Sequence, residues 1–313
     1  MLEELRDKRV AVLAGGQSGE REVSFRSGQG VMEALKAAGI DAVLLDPQAD
    51  LAAQLSRAEA DVAFNALHGG AGENGVVQGV LEMAGIPYTG CGVLASALTM
   101  DKPLTQAVLE QNGLPVPEHV VLSAHSSPAD LEAAVTRIGV PLVTKPPAEG
   151  SSLGVEICHD EQRALAAVRE LIRHYGRVLI EKFIAGTEIT VGVLGWHERT
   201  RPLPVLEIVP HREFYDYEAK YTRGMTDLIC PARISEQAAA EARRLALEAH
   251  LLTGCHGISR CDMHLDEQGQ VWVHEINSMP GLTETSDVPH EAIADGMSYQ
   301  DLTLEILASA FHR

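Results

Sequence analysis

Three oxygen-bearing side chains near the C-terminus have the spacing of a metal site. Asp262 lies in the strand-like run GISRCDMHL (Gly257 to Leu265), and Glu275 and Asn277 lie in the next, VWVHEIN (Val271 to Asn277). The turn DEQGQ separates them. If the runs pair as a hairpin, the three side chains can converge on one face, because residues two apart on a strand point the same way. Two carboxylates and an amide oxygen are hard ligands that suit magnesium bridging phosphate oxygens. An acidic hairpin is usually a solvated edge. Here Glu275 and Asn277 interrupt an apolar strand, where a buried charge is costly unless paired or metal-bound.

Other segments offer phosphate and amine chemistry. In KPPAEGSSLG, Lys145 ends a strand, and a Gly/Ser loop follows whose N–H and hydroxyl groups can cradle phosphates. It is not a Walker loop, and an ordinary turn fits it equally well. IEKFIAGTE (Ile180 to Glu188) offers an apolar strand and a later carboxylate, suited to an adenine pocket and a ribose or to a plain strand and turn. GGQSGEREVS does not match GxGxxG, and Glu20 and Glu22 would repel a pyrophosphate; a carboxylate at that junction suits a cationic amine. HGGAGENG (His68 to Gly75) is a second glycine-rich turn on the same strand-end side, where open α/β sheets bind ligands. FYDYEAKYTRGMT (Phe214 to Thr226) lacks clean periodicity and reads as a lid or a surface loop.

The elements that must position these groups alternate in type. The pattern predicts strands at Arg9–Gly16, Asp41–Asp46 and Asp61–Leu67, with helices over Glu22–Ala38 and Gly75–Ala84. That alternation implies a parallel, doubly wound first lobe. A second lobe follows, with helices over Asp101–Asn112 and Pro128–Ile138, another opened by Asp160, and a strand at Arg177–Phe183. The third stretch has strand runs at Glu188–Leu194 and Leu203–Val209, the metal hairpin, and a helix over Tyr299–Ala310.

The 313 residues carry a formal net charge of −19, from 44 acidic against 25 basic side chains. A nucleic-acid surface needs a basic stripe, and none is visible. Aromatics are 4% of the chain, too sparse for base-stacking platforms. Five cysteines without a CxxC pair read as reduced thiols. The N-terminus MLEELRDKR has no apolar core of a signal peptide. No stretch approaches the roughly 18 apolar residues that span a bilayer. A cytoplasmic protein without nucleic-acid or membrane partners is expected.

Taken together, the ordered segments GGQSGEREVS, ALHGGAGENGVVQG, PYTGCGVLASALTMDK, KPPAEGSSLGV, LIEKFIAGTEITV, FYDYEAKY, SRCDMHL and EINSMPGLTETS closely resemble the D-alanine–D-alanine ligase family of the ATP-grasp superfamily. The resemblance covers nearly the whole chain. It implies a mixed α/β and α+β, three-lobed ATP-grasp fold: a Rossmann-like N-terminal domain over 1–97, a central subdomain over 98–186 and a C-terminal subdomain over 187–313. It implies that Lys102 and Lys145 contact ATP phosphates, with Lys220 near the γ-phosphate. Glu181, Lys182, Phe183 and Ile184 would line the adenine pocket, and Glu188 would bind ribose. Asp262, Glu275 and Asn277 would hold two Mg2+ ions, with Mn2+ as a substitute. Glu20 would hold the first D-alanine's ammonium and, with Ser151 and Tyr221, close the lid. His68 would lie near the reacting carboxylate. Arg260 and the Gly281 N–H would stabilise the oxyanion, and Ser286 would bind the second D-alanine. The implied reaction is peptidoglycan-precursor synthesis through a D-alanyl phosphate, in a homodimer.

Two positions depart from the family. Ala148 stands where some relatives carry arginine, and Asp287 follows Ser286 where many have an apolar residue. Alternation along an extended segment would turn Asp287 away from the substrate, toward solvent or a lobe contact. Rival readings are a ligase with another second substrate, a nucleotide-binding regulator without catalysis, and a Rossmann dehydrogenase. The regulator should lack a metal ligand or Arg260, and the dehydrogenase should carry the missing glycine fingerprint.

Overall fold

The protein was analysed as a computed structural model that describes residues 5–47, 50–150, 153–211 and 225–313. Strand β1 (Arg9–Leu13) runs between β2 (Asp41–Leu45) and β3 (Val62–Asn65), all parallel. Val10, Val12 and Phe64 are fully buried, as a sheet covered on both faces requires. The crossovers are α1 (Arg21–Ala37) and α2 (Leu51–Arg57), followed by α3 (Val76–Ala84) and α4 (Val93–Met100). The first strand stops short of its predicted end because Gly15 and Gly16 take φ of 94° and 74°, outside strand geometry. That turn aims the loop bearing Glu20 back over the sheet edge.

Helix α5 (Lys102–Gln111) leads into the next lobe, but its Leu109 packs into the core of the C-terminal sheet. Its N-cap Asp101 accepts the Leu104 N–H and pairs with Arg177 at 2.9 Å. Strands β4 (His119–Ser123), β5 (Leu142–Lys145), β6 (Glu156–Cys158) and β7 (Arg177–Lys182) form an antiparallel sheet in the order β4-β7-β5-β6. Helices α6 (Pro128–Ile138) and α7 (Glu161–Tyr175) join them. This lobe has its own core, including Leu131, Val135, Leu142, Val168 and Ile180.

The third sheet is built from β8 (Gly186–Gly195), β9 (Arg201–Pro202), β10 (Leu206–Pro210), β11 (Thr226–Ile229), β12 (Gly257–Asp266) and β13 (Val271–Asn277). Helix α8 (Glu236–Leu252) buries Ala242, Leu245, Ala246 and Ala249, a helical stripe, in a core shared with β8, β12 and β13. Helices α9 (Asp287–Ala294) and α10 (Tyr299–Ser309) end the chain. Leu194, Ile258, Val288 and Leu307 share one core with Val10 and Phe64, so the first and third lobes are welded together. Among the described residues, no helix is long and apolar enough to cross a membrane.

Candidate active site

The predicted hairpin exists as β12 and β13, and its register sets the site. Asp262 lies opposite Glu275, and Arg260 opposite Asn277. Opposed residues share a face, so these four side chains form one polar surface. Beyond Asp262 the register shifts, with Met263 opposite Val273, which leaves His274 as the extra residue of a bulge.

The Asp262 carboxylate accepts hydrogen bonds from Arg260 Nε (2.7 Å) and Nη2 (2.6 Å), Thr190 Oγ1 (2.7 Å) and Asn277 Nδ2 (2.9 Å). Lys102 Nζ lies 3.2 Å from Glu275. Among the described residues, no three His, Cys, Asp or Glu converge as metal ligands. The set here is two carboxylates plus an amide, balanced by Arg260 and Lys102. Hard oxygens of this kind are the donor set that magnesium prefers.

A cleft of about 410 Å3 lies beside this surface, between the central and third sheets. Lys102, Lys145, Glu181, Phe183, Ile184 and Glu188 all line it, together with Asp262 and Glu275. Lys182 is exposed and does not line it. Lys145 pairs with Glu181 at 2.5 Å, and Gln106 also donates to Glu181. Burial alone raises the Glu181 carboxyl, but Lys145 and His274 outweigh it and hold the group well below the usual range. Lys102 donates to the Glu149 carbonyl at 2.6 Å, tying α5 to the loop after β5.

A smaller pocket of about 80 Å3 adjoins the cleft through Glu275, which lines both. Four distant segments converge there: Glu20, His68, Gly150, and Arg260 with Asn277, Gly281, Ser286 and Asp287. His68 is 3% exposed and bonds Ser27 Oγ at 2.8 Å. A Cβ on Gly69 would lie 2.5 Å from Glu20 Oε2, and one on Gly281 2.7 Å from Ser286 Oγ. Both glycines therefore leave room for a side-chain oxygen that lines the pocket. Ser286 Oγ accepts the Thr283 N–H at 3.1 Å. Ser151, Lys220 and Tyr221 lie outside the described residues.

One expectation is corrected. Asp287 does not face solvent: it is 7% exposed, pairs with Arg260 at 3.3 Å and lines the small pocket. Ser286 is the N-cap of α9 and Asp287 its first residue, so strand alternation does not apply. Sequence reasoning also missed Ser27, Gln106, His264, His274 and Glu291. The two histidines meet edge-on at 4.9 Å in the cleft wall, and burial pushes His264 down to about 3. Only the polar interruptions of apolar strands hinted at them.

Known proteins match this arrangement. Residues 44–91 match the family model described as "D-ala D-ala ligase N-terminus", and residues 108–308 match "D-ala D-ala ligase C-terminus". The D-alanine–D-alanine ligase of Syntrophotalea carbinolica is 44% identical over 308 residues, 98% of each chain. That of Desulforudis audaxviator is 45% identical, covering 98% of this chain and 99% of its own. The ATP complex of the Bacillus anthracis ligase superposes with a TM-score of 0.84 at 27% identity, covering 97% of this chain and 98% of that one. The VanG D-Ala:D-Ser ligase of Enterococcus faecalis gives 0.84 at 28%, covering 97% and 99%.

Proposed function

The chain belongs to the D-alanine–D-alanine ligase family, and from that premise we propose how its residues perform the ATP-dependent joining of two D-alanines. The observation that carries the reading is the shared wall: the nucleotide-sized cleft and the small amino-acid pocket meet at Glu275. A reaction that passes a phosphoryl group from one ligand to the other needs this contiguity.

In the first step, a carboxylate oxygen of the first D-alanine attacks the γ-phosphorus of ATP, and the bond to the ADP oxygen breaks. Lys102 and Lys145 stand in the cleft to neutralise phosphate charge. Asp262, Glu275 and Asn277 would hold Mg2+, two ions in this reading, which supplies charge neutralisation at the transferring phosphoryl group. Glu20 binds the ammonium, and His68 abuts the reacting carboxylate. In the second step, the deprotonated amine of the second D-alanine attacks the acyl carbon, and phosphate leaves. Arg260 and the Gly281 N–H face the developing oxyanion. Ser286 receives the second carboxylate.

Glu181, Lys182, Phe183 and Ile184 are assigned to adenine, and Glu188 to ribose. Ser151, Lys220 and Tyr221 complete the assignment as closing and γ-phosphate groups. The division into 1–97, 98–186 and 187–313 belongs to the same reading, as does a cytoplasmic setting. A homodimer is supported by exposed apolar side chains on α3 and α4, Val76, Met83 and Leu94, which a second copy would cover.

A D-Ala:D-Ser ligase shares the fold, so a different second substrate is the competing reading. Phosphate release measured over D-alanine, D-serine, D-lactate and L-alanine, with and without Mg2+, separates them. D-alanine with Mg2+ should give ADP, phosphate and D-alanyl-D-alanine. Faster turnover with D-serine or D-lactate as second substrate, or formation of AMP and pyrophosphate, would refute the proposal.

A further inference from the structure

Two serines one turn apart on α1, Ser24 and Ser27, are fully buried and tie the helix to the loops beyond it. Ser24 joins two backbone groups: its Oγ accepts the Gly15 N–H at 2.8 Å and donates to the Ala66 carbonyl at 2.8 Å. Ser27 joins two parts of the small pocket instead. Its Oγ lies 2.8 Å from His68 Nε2 and accepts the Leu282 N–H at 3.4 Å. Leu282 follows Gly281, and its carbonyl accepts the Tyr299 hydroxyl of α10 at 2.7 Å. The chain just after Gly281 is thus held at an N–H by one helix and at a carbonyl by another.

The serine hydroxyl has one proton to give, and burying it without an acceptor is costly. Among the described residues, His68 Nε2 is the acceptor that Ser27 meets. Ser27 therefore donates to Nε2, which must be the unprotonated nitrogen, and the ring proton sits on Nδ1. Nδ1 faces the Glu73 carboxylate at 3.8 Å, and the Gly69 N–H orients that carboxylate at 2.8 Å. The 3.8 Å separation is longer than a hydrogen bond, so Glu73 does not capture the Nδ1 proton. His68 and Glu73 both line the pocket. The opposite tautomer would turn a bare nitrogen lone pair toward Glu73.

We propose that Ser27 is a positioning residue that serves both steps of the reaction. By donating to His68 Nε2 it keeps a proton on Nδ1 for the carboxylate of the first D-alanine. By accepting the Leu282 N–H it fixes the peptide beside the Gly281 oxyanion donor. The inference rests on the reading of His68 as a first-substrate residue. It goes beyond that reading by naming the tautomer of the ring and the residue that sets it.

The test is the His68 ring, read by long-range 1H–15N correlation spectra of protein labelled with 15N-histidine, with the His68→Gln spectrum identifying its signals. The parent should show a protonated Nδ1 and an unprotonated Nε2. Ser27→Ala should populate both tautomers, lower kcat about tenfold and raise the KM for the first D-alanine. Ser24→Ala is the control for a purely structural role: it should lower the melting temperature while the His68 ring keeps its parental signals. Added to His68→Gln, Ser27→Ala should raise the KM for the first D-alanine no further, because its route to that substrate is already gone. A parent ring protonated on Nε2 would overturn the proposal. So would a Ser27→Ala ring that keeps a single Nδ1–H form, or an equal rise in KM with and without His68. If Ser27→Ala fails to fold, the parent spectrum decides alone, Nδ1–H supporting the proposal and Nε2–H contradicting it. A parental KM in His68→Gln, beside an Nδ1–H ring in the parent, would place the error in the reading of His68 rather than in the Ser27 link.

Discussion

At least four hydrogen bonds converge on the Asp262 carboxylate, and a protein cation neutralises each acid of the hairpin face. Replacing Asp262 or Glu275 by alanine should leave a folded protein whose kcat falls about a hundredfold or more at saturating Mg2+. Steady-state kinetics alongside circular dichroism checks this; near-normal turnover in either variant would remove it from the reaction. The hairpin acids could be read from sequence because charge inside an apolar strand needs a reason. Asp287 could not, since its orientation depends on α9 starting at that residue, and helix boundaries are the least certain feature of a sequence pattern. His68 and Ser286 were recoverable only as part of an ordered set, whereas the Glu20 carboxylate at a strand–helix junction already suited an amine. His68 lies in a glycine-rich turn and Ser286 at a helix N-cap, and each, taken alone, fits an ordinary structural role.

Gly192 shows how an element carries the site. It lies opposite Arg260 in the β8–β12 register, and its N–H holds Glu291 of α9. A Cβ there would stand 2.5 Å from Glu291 Oε2 and 3.0 Å from Leu203 Cδ1. Gly192→Ala should therefore cost about 1–3 kcal/mol, measured by urea unfolding, and should reduce turnover by shifting α9. Unaltered stability and activity would mean that α9 is not held from beneath. Asp101→Ala removes the N-cap of the helix that begins with Lys102, along with the Arg177 pair. It should cost about 1 kcal/mol and raise the KM for ATP, whereas a KM for ATP equal to the parent's would uncouple the cap from the cleft. The strands and helices with clean periodicity, such as α1, α6 and β13, were read within a few residues. Helix α8 was not, because its buried face is mostly alanine and gives little hydrophobic contrast.

The first and third lobes share one core, and the central sheet with α6 and α7 is cored separately, so the cleft between the central and third sheets lies between two bodies. Sequence periodicity finds the lobes but not this sharing, which depends on the packing of α10 against α1, far apart in the chain. Folding also excludes protons from the interior. His250 is 1% exposed, bonds Ser259 at 2.7 Å, and is pushed by burial down to about 4. Below pH 6.5 the unfolded chain binds a proton that the folded state rejects. Stability should therefore fall between pH 6.5 and 4, by on the order of 3 kcal/mol from this group. Thermal melts should show the decline, and His250→Gln should make it shallower, the remainder coming from His264; an equally steep decline in that variant would exonerate His250. The joined pockets carry the larger claim, that a carboxylate oxygen of the first D-alanine becomes bonded to the γ-phosphorus. Turnover with D-alanine labelled by 18O in its carboxylate tests it directly. One labelled oxygen should appear in the released phosphate for each dipeptide formed, as mass spectrometry would read; unlabelled phosphate accompanying dipeptide formation would contradict the account.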